Sequence, residues 1–154
     1  MLIHARIPIV LLLLLFSIHG IAQVDTPTQA DDQIEEAIKQ MFEKEHTRSL
    51  ELLVETQTIA QKKEWHEQDF RATLNIGSNY YLLSDYGEAL QYYLQAYEIA
   101  IAHLGSRQEM TVLNNIGILY FQEEERTQAK EYFYKAYQKA KQVKDEVKVG
   151  YYAV

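Results

Sequence analysis

The pattern nearest to catalytic chemistry stops one residue short. His66-Glu67-Gln68-Asp69-Phe70 opens like the zinc-protease helix motif, in which two histidines four apart hold the metal and the glutamate activates a water. The second histidine would be residue 70, which is Phe70. The other histidines, His4, His19, His46 and His103, are spread along the chain without ligand spacing, so neither a metal nor a cofactor is expected. There is no cysteine, which removes thiolate nucleophiles, thiolate metal ligands and disulfides together. No Gly-rich phosphate loop, nucleophile elbow or calcium-loop spacing occurs. No residue set for catalysis emerges, and the chain is not expected to be an enzyme. A formal charge of −7 also argues against a nucleic-acid partner, because gripping phosphates needs a clustered basic surface.

Three further groups have types and spacing worth weighing. Glu123, Glu124 and Glu125 form either an acidic docking patch for a basic peptide or a complement to the dipole of the helix that follows. Lys130, Lys135, Lys139, Lys144 and Lys148 are four or five apart for the most part and read as the wet side of a helix. Among twelve tyrosines, Tyr80, Tyr93, Tyr97, Tyr120 and Tyr137 fall at core positions of a repeat.

That repeat positions everything else. Asn75-Ile76-Gly77-x-x-Tyr80 recurs as Asn115-Ile116-Gly117-x-x-Tyr120, a period of 40. The same offset pairs Ala89 with Ala129, Tyr92 with Tyr132, Ala96 with Ala136, Tyr97 with Tyr137 and Ala100 with Ala140. The nine identities in 40 positions exceed the roughly two or three that unrelated stretches share. Each copy reads as two helices. In the first copy one helix runs from about Phe70 to Leu83, and Asp85 with Glu88 makes a capping box for a second, which ends near His103 with Gly105 as a left-handed C-cap. Ala89, Tyr93, Ala96 and Ala100 share one stripe of that second helix. Gly77 inside a helix costs about 1 kcal/mol relative to alanine, which points to a packing role, and Gly117 is assigned to a helix crossing, where alanine should be tolerated and leucine refused. A degenerate copy with four identities covers residues 30–69, and a truncated fourth starts at residue 150.

This pattern resembles the tetratricopeptide repeat, in a long-repeat variant. The signature positions match twice, as Gly77, Tyr80, Ala89 and Ala96, then Gly117, Tyr120, Ala129 and Ala136. The period of 40 departs from the family's usual 34, and Ile101 and Lys141 stand where the family often places proline. The resemblance implies an all-α fold, a right-handed superhelix of about three stacked antiparallel helix hairpins over residues 33–154, its concave side lined by the first helix of each hairpin. It also implies that a protein or extended peptide binds on that side. The groove positions are Arg71, Asn75, Ser78 and Tyr81, then Asn114, Asn115, Ile118, Phe121 and Gln122, with Asn75 and Asn115 as amide clamps on a peptide backbone.

The N-terminus reads as an export signal. Arg6, the apolar block Ile7 to Phe16, and Gly20 and Ala22 before residue 23 have the order of a signal peptide, residues 1–22, cleaved after Ala22. The alternative is retention as an inner-membrane anchor over residues 7–22, although the block is shorter than the ~20 apolar residues of a span. Residues 23–32 read as a polar linker. The expected function is an exported, periplasmic or secreted, non-catalytic scaffold for a protein or peptide. The alternative is the sensory region of a longer signalling protein, a membrane sensor kinase or a transcription regulator. Val147, Val149, Tyr151, Tyr152 and Val154 leave an apolar C-terminal end that is expected to self-associate or fray.

Overall fold

The computed structural model describes residues 24–143. The signal peptide with its cleavage after Ala22, the start of a fourth repeat at residue 150 and the apolar C-terminal end lie outside the described residues. Six helices follow one another: α1 Pro27–Phe42, α2 His46–Lys62, α3 His66–Leu82, α4 Tyr86–Ile99, α5 Ser106–Gln122 and α6 Arg126–Gln142, with a π-helical turn Ala100–Leu104 between α4 and α5. No described helix is long and apolar enough to cross a membrane.

The first helix begins earlier than the sequence suggested. Thr26 Oγ1 accepts the Gln29 N–H at 3.2 Å and Gln29 Oε1 accepts the Thr26 N–H at 3.1 Å. This reciprocal cap, with Pro27 at the first helical position, satisfies donors that a helix start leaves open. Residues 27–32 are therefore helix, and the polar linker expected over 23–32 shrinks to the few residues before Thr26.

Four of the five turns between helices are built alike. Lys44, Glu64, Ser84 and Glu124 have φ between 57° and 66°, each about 20 residues from the next except across the π turn. At each turn the following residue donates back five residues, as in Glu45 N to Gln40 O and Asp85 N to Tyr80 O, both 2.9 Å. This is a Schellman closure carried by residues other than glycine. The exception is Gly105, with φ 109° and ψ −169°. It does not form the left-handed C-cap expected of it. The π turn donates from Gly105 N to Ala100 O at 2.8 Å, widening the helix end so that Gly105 becomes the N-cap of α5. At Asp85 half of the expected capping box is formed, the Asp85 carboxylate accepting from Glu88 N.

Each helix packs on the next in sequence, and α1 also reaches α3. The stripe Ala89, Tyr93, Ala96 and Ala100 is buried, together with Phe70, Val112, Ile116 and Leu119. The helical glycines are packing devices. A Cβ on Gly77 would stand 2.7 Å from Tyr93 Cδ1, and one on Gly117 would stand 2.7 Å from Phe133 Cδ1. Alanine at Gly117 therefore requires the half-buried Phe133 ring to shift. In the first hairpin the equivalent positions are Ala37 and Leu53, both fully buried in one cluster. The slot holds an alanine where its partner is aliphatic and a glycine where its partner is an aromatic ring.

Candidate functional site

The 40-residue spacing stacks α1, α3 and α5 so that equivalent positions form rows across the concave face. One row is Ile38, Ser78 and Ile118; another is Phe42, Leu82 and Gln122. Between them lies a mainly apolar cavity of about 360 Å³, lined by Ile38, Met41, Phe42, Asn75, Ser78, Tyr81, Leu82, Tyr93, Asn115 and Ile118. Tyr93 of α4 is 3% exposed, and burial pushes its phenol pKa up. Its hydroxyl reaches Ser78 Oγ at 3.5 Å. The polar groups of the lining are tied to their own helix: Asn75 Nδ2 donates to Arg71 O at 2.8 Å and Ser78 Oγ donates to Leu74 O at 3.0 Å. An apolar cavity with a few fixed polar groups suits the side chains of a peptide and offers no nucleophile or acid–base pair.

Of the residues expected to form the groove, Asn75, Ser78, Tyr81, Asn115 and Ile118 line this cavity together. Arg71 lies off it, its guanidinium paired with Asp31 and Glu35 of α1. Phe121 is 53% exposed at the end of α5 and carries the Arg126 guanidinium 4.1 Å from its ring centroid. Gln122 is exposed beside it, and Asn114 is half-buried; neither lines the cavity. Asn114 takes the row of Leu74, which packs toward the core. Sequence reasoning missed Ile38, Met41, Phe42 and Leu82 as lining residues, and placed Tyr93 in the core without its face toward the cavity. The 40-residue shift from Ser78, Tyr81 and Leu82 points to Ile38, Met41 and Phe42, but the copy over residues 30–69 keeps only four identities and gives no groove signal of its own.

The repeat signature serves as scaffold. Ala89, Ala96, Ala129 and Ala136 are buried; Tyr80 stacks on Tyr92 at 5.6 Å, and Tyr120 on Tyr132 at 5.4 Å. Behind the groove, Asn79 is fully buried. Its Oδ1 lies 3.1 Å from His46 Nδ1 and its Nδ2 donates to Ser49 Oγ at 2.9 Å. Ser49 Oγ in turn donates to Ala37 O at 2.7 Å. This chain locks α1, α2 and α3 in register beneath the cavity.

The zinc-like segment takes part in a second, smaller cavity of about 330 Å³, lined by Gln61, His66, Asp69, Glu98, Ile99, Ala102 and His103. The His66 and His103 rings stack at 3.6 Å. Burial raises the Asp69 pKa, offset in part by hydrogen bonds from Gln61 and Thr73. Among the described residues no group of three or more His, Cys, Asp or Glu is placed to hold a metal ion. On α6, Lys139 leaves the expected wet face to pair with Glu109 at 2.6 Å.

Residues 71–108 and 110–143, just under half of the chain, match the family model described as tetratricopeptide repeat. A comparison with curated proteins finds no match. Among solved structures, BtubC (BKLC) from P. vanneervenii superposes with a TM-score of 0.67 at 16% identity, over 80% of this chain and 50% of that one. The Rap conjugation gene regulator of the plasmid pLS20, in complex with the Phr* peptide, superposes with a TM-score of 0.68 at 20% identity, over 78% of this chain and 33% of that one. The chain thus spans between a third and a half of the length of these structures. At such identities the likeness carries the fold alone, an all-α right-handed stack of helix hairpins. The family match and the repeated Gly77, Tyr80, Ala89 and Ala96 signature fall on the same stretch, and residues 71–108 and 110–143 are similar to tetratricopeptide repeats.

Proposed function

We propose that this chain is a non-catalytic scaffold that holds a peptide or a segment of a protein partner against α1, α3 and α5. The observation that carries the reading is the apolar cavity of about 360 Å³ to which all three of these helices contribute side chains. Its lining offers pockets for side chains and a small number of fixed polar groups for a backbone, as peptide grooves do. The fold-level likeness to a regulator solved with the Phr* peptide is consistent with this use. We further propose that the chain is exported, on the strength of the charged start, apolar block and small residues of positions 1–22. Service as the sensory region of a longer signalling protein is the alternative setting for the same groove.

The test is to select peptides on the purified protein by display and to measure the best of them against Ser78→Arg and Ile118→Lys. Both side chains project into the cavity, so each substitution should reduce affinity by at least about tenfold, the effect of burying an unpaired charge at an interface, with the helical circular dichroism unchanged. Full affinity in both variants would place the peptide elsewhere and remove the reading.

A further inference from the structure

We propose that one end of the concave groove selects basic ligands: a peptide whose apolar anchors are flanked by lysine or arginine. The inference rests on the peptide-binding reading above and names the class of peptide. At the C-terminal ends of α1, α3 and α5, large apolar side chains are left uncovered, with Phe42 74%, Leu82 50% and Phe121 53% exposed. The turns that follow these residues carry Glu43, Glu45, Asp85, Glu123, Glu124 and Glu125, all exposed, against the cations Lys44 and Arg126.

This charge is not consumed by the fold. Asp85 caps α4, but Glu45 and Glu125, although at N-cap positions, make no side-chain capping bond. Among the described residues, Glu43, Glu45, Glu123, Glu124 and Glu125 enter neither a side-chain hydrogen bond nor an ion pair. At the opposite end of the groove the carboxylates have partners, since Asp31 and Glu35 share the Arg71 guanidinium and Gln68 donates to Asp31 as well. The chain itself shows the contact a ligand cation would make at the acidic end: the guanidinium of Arg126 lies 4.1 Å from the Phe121 ring centroid. An apolar lane with an acidic border is complementary to a peptide that alternates apolar and basic side chains, and it repels an acidic one.

Two fluorescein-labelled synthetic peptides test this, sharing the same leucines and differing only in lysine or glutamate at the remaining positions, with affinity read by fluorescence polarisation at low and high salt. The lysine peptide should bind about tenfold tighter than its glutamate twin, with the margin shrinking as salt screens the exposed charges. The combined variant Glu43→Gln, Glu123→Gln and Glu125→Gln should weaken the lysine peptide severalfold. The same charge change on the second helices of the hairpins, Glu51→Gln, Glu98→Gln and Glu131→Gln, should leave it within twofold. Phe42→Ala with Leu82→Ala should weaken both peptides. Equal losses in the two glutamine variants would overturn the proposal, because the preference would then belong to the overall charge. Equal affinity for the two peptides, with both lost in the Phe42→Ala and Leu82→Ala variant, would overturn the basic preference and leave the groove reading standing. Failure of both peptides to bind would overturn the two together.

Discussion

The compensation between Gly77 and Tyr93 should appear as a large coupling in a double-mutant cycle. Gly77→Ala adds a Cβ that would stand 2.7 Å and 2.8 Å from two carbons of the Tyr93 ring, and Tyr93, 3% exposed, has little room to move. Overpacking of this kind costs about 1–3 kcal/mol, against a gain of about 1 kcal/mol from replacing a helical glycine by alanine. A net loss of about 0–2 kcal/mol is expected. Tyr93→Leu alone opens a cavity and removes the bond to Ser78, and should cost about 2–3 kcal/mol. The double variant reproduces the Ala37 and Leu53 pairing that the first hairpin already uses. The added methyl then occupies space vacated by the ring, so the two substitutions together should cost less than their sum by about 1–2 kcal/mol. Urea unfolding followed by circular dichroism reads this from the midpoints, provided the slope m is unchanged among the four proteins. Additivity within about 0.3 kcal/mol would refute the size compensation. Gly117→Ala supplies the contrast, because Phe133 is only half-buried and its ring can swing away; that variant should lie within about 0.5 kcal/mol of the parent.

Other consequences follow from the turns and the buried charges. Glu124 has φ 64°, so Glu124→Gly should stabilise by about 0.5 kcal/mol and Glu124→Val should destabilise by about 1 kcal/mol, as read by thermal melts. Burial raises the Asp69 pKa above its ordinary 3.8, so the folded state binds the proton more tightly than the unfolded state does. Stability therefore declines as pH rises from about 3.8 through the folded-state pKa, and the penalty persists above it. Asp69→Asn should flatten that decline and leave stability at neutral pH equal or higher, in urea midpoints taken across this range; a steeper decline would contradict the sign. Glu109→Gln strands Lys139, whose side chain is 26% exposed, and should cost about 1 kcal/mol. Adding Lys139→Met should recover part of that loss in the same melts.

The fold was legible because its physics repeats. A glycine facing a ring and alanines at the crossings recur every 40 residues, and packing leaves few alternatives for them. The α1 start was missed because Pro27 and the polar residues around it resemble a linker, while the cap depends on the side chain of Gln29 reaching back. The turn geometry was also hidden. Lys44, Glu64, Ser84 and Glu124 take a glycine-favouring conformation without being glycine, held there by the Schellman bonds. The π turn before Gly105 left no mark in composition. Half of the cavity lining was found in α3 and α5, where the family pattern is strong. Ile38, Met41 and Phe42 were not, since their copy keeps few identities and its role depends on α1 lying beside α3 in space. The pairing of Arg71 with Asp31 and Glu35 likewise arises only on stacking.

Hydrogen–deuterium exchange with a display-selected peptide bound to the protein shows whether α1, α3 and α5 together hold the ligand. Added protection should concentrate where α1, α3 and α5 line the cavity, around Ile38–Phe42, Asn75–Leu82 and Asn115–Ile118. Protection confined to α2, α4 and α6, with these three segments unchanged, would contradict the groove reading.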